Sequence, residues 1–100
     1  MNIEEISFGI ISYAGDALGS MREAIRCARE KNFENAENLM KEANNSLKEA
    51  HDIHTKILME EANGNKTEYS ILLSHAQDTM MNAMTFQAIA EEFITMYKEK

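Results

Sequence analysis

Hydrophobic residues recur every three or four positions along most of the chain, which is the spacing of amphipathic α-helices. The period predicts three helices, over about residues 3–31, 33–62 and 68–98. Asn32 and Thr67 are the expected caps of the second and third helices, and Asn63-Gly64-Asn65 supplies the turn between them. No proline interrupts a helix. We therefore predict an all-α fold, an antiparallel up-down-up three-helix bundle that forms one domain over 1–100.

The third helix carries two stripes of residues. The first would face the other helices and comprises Leu72, Ala76, Ala83, Phe86, Ala90, Phe93, Ile94 and Tyr97. The second follows a heptad spacing and comprises Ile71, His75, Asp78, Asn82, Thr85, Ile89 and Met96. A monomeric bundle has no use for this second stripe, whereas polar residues at such positions fix register and copy number in helical assemblies. We expect the chain to self-associate through its last helix.

Composition narrows the class of protein. A net charge of -7 and a pI near 4.9 argue against nucleic acid or an anionic membrane surface as partner. Positions 70–90 have the length of a membrane span but too many polar residues for lipid. The one cysteine, Cys27, is expected to be a half-buried, unreactive thiol and fits a reducing cytoplasm. Gly9, Gly15 and Gly19 would allow close approach of helices.

The candidate chemistry lies in the middle of the second stripe. His75 and Asp78 are three residues apart, so they share a helix face. The carboxylate would hold the imidazole tautomer or a neighbouring metal, or the pair would only specify the number of copies. Gln77 points to another side of an ideal helix, and Thr79 lies nearer the core stripe. His54 falls within the apolar stripe of the second helix and could reach the third helix.

The segment Leu73-Ser-His-Ala-Gln-Asp78, followed by Met80-Met81, resembles the lactose/cellobiose-type IIA component of the bacterial sugar phosphotransferase system. The likeness extends to Ala50-His51 with Thr55, to Glu61-Ala-Asn-Gly64 and to Ile94-Thr-Met-Tyr97, and so covers most of the chain. The resemblance implies a cytoplasmic phosphocarrier in which His75 accepts a phosphoryl group from the carrier protein HPr. The group would then pass to a cysteine of a IIB component during uptake of a lactose-, cellobiose- or chitobiose-type disaccharide.

The resemblance also implies a parallel homotrimer in which three copies of Asp78 share one divalent metal, usually magnesium. Gln77 matches a residue beside the active histidine and is expected to contact the phosphate. The chain departs from the family at Thr79, where many members have a second histidine, and at His54, where members often have glutamine. Two other functions stay open: a non-enzymatic trimeric helical adaptor, and a regulatory phosphohistidine protein of the same fold.

Overall fold

Three long helices make up nearly all of the computed structural model, which describes residues 2–100. They are α1 (Ile3–Arg29), α2 (Phe33–Ala62) and α3 (Ile71–Lys98), and that range contains no strand. The predicted all-α class is confirmed. The molecule measures 52 × 20 × 18 Å, because helices of this length, each about 42 Å long, lie side by side.

The helix ends follow local side-chain chemistry. The Asn32 side chain accepts a hydrogen bond from the backbone N–H of Asn35, as expected for the α2 cap. Helix α1 ends at Arg29 and not at Lys31, because Lys31 adopts a left-handed backbone conformation with φ 67°. After α2, Asn63 is the C-cap and Gly64 has φ 91°, so the predicted turn is correct.

The start of α3 differs from the prediction. The helix begins at Ile71 and not at Glu68, because the Ser70 hydroxyl, and not that of Thr67, caps it. Ser70 Oγ accepts a hydrogen bond from the Leu73 backbone N–H at 3.2 Å. The hydroxyl of Thr67 is instead buried without a hydrogen-bond partner among the described residues.

Helix α1 is the centre of the fold, since it packs extensively against both other helices while α2 and α3 touch each other much less. Its core positions are mostly small, with Ile10 and Met21 as the large side chains that are fully buried. Cys27 is only 4% exposed and belongs to this core, so the prediction of a half-buried thiol was wrong. The next residue, Ala28, is buried in the same core.

The buried stripe of α3 is rotated relative to the predicted one. Leu73 and Met80 are buried, whereas Leu72 is half-buried and Phe93 is 42% exposed. Because residues 72 and 73 are both apolar, the hydrophobic period does not tell which of the two is buried. The packing of α3 against the other helices buries Leu73 more deeply than Leu72. The other members of the new stripe are Ala76, Ala83, Ala90 and Ile94.

The glycines of α1 do not all serve close packing. A Cβ added to Gly9 would lie 3.5 Å from Ile53 Cδ1, an ordinary contact with α2. A Cβ on Gly15 or Gly19 would meet nothing within 4 Å. The prediction of close helix approach is therefore wrong for Gly15 and Gly19 within one chain.

Side-chain hydrogen bonds connect α2 to α3 at three positions along the length of the two helices. The pairs are Glu37 with Lys98, Asn44 with Gln87 and His54 with Gln77. The partners occur in opposite order along the two helices. The last pair lies at the same end of the molecule as the candidate histidine, so α2 reaches the part of α3 on which the chemistry is expected.

Candidate functional site

The second stripe of α3 faces away from the other two helices. All of its members are exposed in the single chain: Ile71, His75, Asp78, Asn82, Thr85, Ile89 and Met96. Ile71 is 76% exposed and Met96 is 55% exposed, so the stripe is apolar towards its ends and polar in its middle. We call this set of seven residues the outer seam.

His75 stands on a firmly held part of α3. The Ser70 cap precedes it by little more than one turn, and the buried side chains of Leu73 and Ala76 fix the helix against the core on either side. The imidazole itself is on the exposed face and forms no side-chain hydrogen bond or ion pair within residues 2–100. In the single chain, a ring held this way is accessible from solvent.

Asp78 shares the exposed face with His75 but is not hydrogen-bonded to it. Among residues 2–100 its carboxylate has no ion-pair partner. The single chain therefore does not use Asp78 to hold the imidazole tautomer, one of the two roles that spacing alone allowed. It also buries no isolated charge, because Asp78 is exposed.

Thr79 takes part in the same turn through its backbone contact. Its hydroxyl donates a hydrogen bond to the carbonyl oxygen of His75 at 2.8 Å, and the residue is half-buried. Such bonding to the preceding turn is common for threonine in helices. In the single chain the hydroxyl is thus engaged by the backbone of the turn that carries His75.

Gln77 faces α2, on the side of the helix opposite His75. Two residues along an α-helix correspond to a rotation of about 200°, as the sequence predicted. Gln77 Nε2 lies 3.0 Å from His54 Nε2, and both side chains are half-buried. His54 therefore does reach the third helix. His51, one turn earlier, is exposed.

Burial is the main cause of a lowered pKa at His54, and the nearby charge of His51 lowers this pKa further. The ring of His54 is therefore held in its neutral form near pH 7. A neutral imidazole has one nitrogen that donates and one that accepts a hydrogen bond.

A groove of about 350 Å³ lies beside the Gln77 side chain, between the C-terminal end of α2 and the N-terminal end of α3. Its walls include Leu58, Tyr69, Ser74 and Gln77. Hydrophobic periodicity does not mark Ser74, although its position three residues before Gln77 places both on one helix face. A second groove, of about 510 Å³, lies near Arg22, Arg29 and Phe86 and includes neither His75 nor Asp78.

Asp78 is the one carboxylate that a single copy of the outer seam offers to a divalent metal. Within residues 2–100, no group of three or more histidine, cysteine, aspartate or glutamate side chains is arranged to hold a metal ion. Asp78 is exposed and unpaired, so its oxygens are available to a metal shared between copies. Within residues 2–100 the chain does not gather such a ligand set around Asp78.

No helix in the described part of the chain is long and apolar enough to cross a membrane. The described residues form a three-helix, all-α protein that carries an exposed histidine on the outward-facing side of α3. The family model for the lactose/cellobiose-specific IIA subunit of the phosphotransferase system matches residues 5–98. The chain belongs to this family, whose members are phosphotransferase components of the sugar phosphotransferase system.

Individual relatives agree with this assignment. The chain is 36% identical over 102 residues to a lactose-specific EIIA component from Staphylococcus epidermidis, covering 99% of this chain and 98% of the relative. It is 39% identical over 97 residues to the lichenan-specific IIA component from Bacillus subtilis, covering 97% and 88%. The crystal structure of the cellobiose-specific enzyme IIA from Bacillus anthracis superposes with a TM-score of 0.95 at 39% identity, covering 99% of this chain and 91% of that one.

Proposed function

We propose that this IIA component is a cytoplasmic phosphocarrier in which His75 receives a phosphoryl group from phosphorylated HPr and passes it to a cysteine of a IIB component. The observation that carries the proposal is the exposed, unpaired imidazole of His75 on a helix whose other faces are held by the core. A relay histidine must be reached by two protein partners in turn, and a buried ring would exclude them.

The reaction is nucleophilic catalysis at a ring nitrogen. The unprotonated nitrogen of His75 attacks the phosphorus atom of the phosphohistidine on HPr, so a new N–P bond forms as the donor N–P bond breaks. The resemblance implies Nε2 as the attacking atom. In the second step the thiolate of the IIB cysteine attacks the phosphorus, an S–P bond forms, and the bonding electron pair returns to the imidazole of His75.

We further propose that the up-down-up bundle assembles as a parallel homotrimer through the outer seam. The exposed apolar ends of the seam, Ile71, Ile89 and Met96, supply surface to bury. The polar middle would bring three copies of Asp78 to one axis, where their charges repel. Magnesium held by these carboxylates would neutralise that repulsion.

A three-fold ring brings different edges of the seam together, because each copy contacts its two neighbours with unlike surfaces. His75 and Ser74 are about 100° apart on α3 and lie on opposite edges of the seam. His75 of one copy would therefore lie near the groove of the next, which contains Ser74 and Gln77. Gln77 of the neighbouring copy would assist binding of the phosphoryl group, and Thr79 would lie beside His75, where its hydroxyl bonds to the His75 carbonyl oxygen.

The sugar class rests on the relatives. Their names include lactose, lichenan, oligo-beta-mannoside and galactose at similar identity to this chain. We propose a disaccharide of the cellobiose, lactose or chitobiose type as the transported sugar.

The test is a reconstituted relay of phosphoenolpyruvate, enzyme I, HPr and a cognate IIB component. The wild-type chain is expected to take up one acid-labile phosphate and then to label the IIB cysteine. His75→Ala should abolish both steps, and His51→Ala is the matched control because His51 is also exposed. Phosphate uptake by His75→Ala at the wild-type level would contradict the assignment of His75. If cells that carry His75→Ala still take up the sugar as the wild type does, the result would favour a non-enzymatic helical adaptor.

A further inference from the structure

The pair of His54 and Gln77 is the one side-chain hydrogen bond that joins α2 to the first two turns of α3 within residues 2–100. The other two polar connections between these helices lie farther along α3, at Gln87 and Lys98. Because α2 and α3 touch each other so little, this bond has few neighbours that could replace it.

The polarity of the bond follows from its atoms. The structure places the Gln77 amide nitrogen 3.0 Å from His54 Nε2, and because an amide nitrogen only donates, His54 Nε2 is the acceptor in this arrangement. The ring proton of neutral His54 then lies on Nδ1. An imidazole in this form presents only an acceptor at Nε2, and it therefore selects one orientation of the Gln77 carboxamide. A glutamine at position 54 would accept either orientation, because its own amide both donates and accepts.

Gln77 also lines the groove that contains Ser74, so its amide is accessible from outside the helix pair. One of its two N–H groups is engaged by His54, which leaves the second N–H available as a donor. The oxygens of a phosphoryl group are acceptors and require such donors.

We propose that His54 is a positioning residue of the relay: by accepting one N–H of Gln77, it directs the other N–H towards a phosphoryl group that enters this groove. The inference rests on the proposed function, because it assumes that a neighbouring copy presents phosphorylated His75 to the groove. It assigns His54 no contact with the phosphate itself.

The first test is nitrogen NMR on the intact wild-type protein at pH 8. The expected result is an unprotonated Nε2 and a protonated Nδ1 in His54, with a scalar coupling across the hydrogen bond to the side-chain nitrogen of Gln77. A protonated Nε2 in His54 would overturn the proposal, since Gln77 would then have to present its oxygen. This measurement needs no variant and no partner protein.

The second test compares rates of phosphoryl transfer from phosphorylated HPr at the same pH. His54→Ala is expected to slow transfer about fivefold, the effect of losing one hydrogen bond of ordinary strength. His54→Gln should recover part of the rate, and His51→Ala should match the wild type. Equal rates for His54→Ala and the wild type would overturn the positioning role. If His54→Ala does not fold, the transfer rate of His54→Gln tests the proposal instead. A wild-type rate in His54→Gln would overturn the claim that His54 selects one orientation of the Gln77 amide, and a reduced rate would support it.

The two proposals fail in different ways. If HPr does not phosphorylate the wild-type chain, the proposed function is wrong, and the NMR result still decides the polarity of the bond. If His75 is phosphorylated at the same rate with and without His54, only the positioning role is wrong.

Discussion

Replacing the cap of α3 should destabilise the protein through a single hydrogen bond. Ser70→Ala removes the oxygen that accepts from the Leu73 backbone N–H at 3.2 Å, and it leaves the backbone unchanged. Loss of an N-cap costs about 1 kcal/mol, within a range of about 0.5–2. For a chain of this size the melting temperature should fall by about 4–8 °C for each kcal/mol lost.

Thr67 provides the opposing substitution. Its hydroxyl is buried and has no hydrogen-bond partner within residues 2–100, so Thr67→Val removes an unpaired polar group and keeps the shape of the side chain. A buried polar group without a partner costs about 1–3 kcal/mol, and we expect this variant to be at least as stable as the wild type. Ser70→Gly is a further control, since glycine is tolerated at the cap with a loss of only a few tenths of a kcal/mol.

Urea unfolding of the four proteins at one fixed chain concentration provides the measurement, because the stability of an oligomer depends on concentration. Amide exchange should also speed up at Leu73 in Ser70→Ala, near the start of the helix that carries His75. The reasoning is refuted if Ser70→Ala unfolds like the wild type while Thr67→Val loses about 1 kcal/mol. That outcome would restore Thr67 as the cap.

Three other predictions concern the core, the surface charges and the seam. Met80→Ala should cost about 2–5 kcal/mol in urea unfolding because Met80 is 2% exposed, whereas Met59→Ala, at a residue 60% exposed, should change stability little. The Lys98 ammonium lowers the pKa of Glu37, so this pair stabilises the fold above the ordinary pKa of the carboxyl and is lost as pH falls through the lowered value. When the free energy of unfolding is measured as a function of pH, the stabilisation that comes from the Glu37–Lys98 pair should be absent in Lys98→Ala. The same pH dependence in Lys98→Ala and the wild type would contradict this prediction. If three copies of Asp78 share a metal as proposed, a chelator should lower the melting temperature of the wild type and leave that of Asp78→Asn unchanged. An equal effect of the chelator on both proteins would contradict the proposed metal site.

The helices were predictable from sequence because their amphipathic period continues through each with no proline. Helix α2 has the predicted bounds, and both of its end signals are strong ones, Asn32 and Gly64. The start of α3 was less predictable, since Thr67 and Ser70 both precede apolar residues and both are able to cap. Only the tertiary position of the connecting segment decides between them.

The site was predictable to a different extent. Spacing places His75 and Asp78 on one face, and the structure leaves that whole face exposed. The contact between His54 and Gln77 depends on how α2 and α3 approach one another, which no period within a single helix encodes. Cys27 shows the same limit, because contacts from the other helices bury a residue that lay off the predicted stripe.

The most direct test of the account is to map the phosphate after the chain has been treated with phosphoenolpyruvate, enzyme I and HPr. Peptide mass spectrometry at neutral pH would distinguish His51, His54 and His75, the three histidines of the chain. The account predicts one phosphate on His75 and none on the other two. A phosphate on His51 or His54, with His75 unmodified, would contradict it.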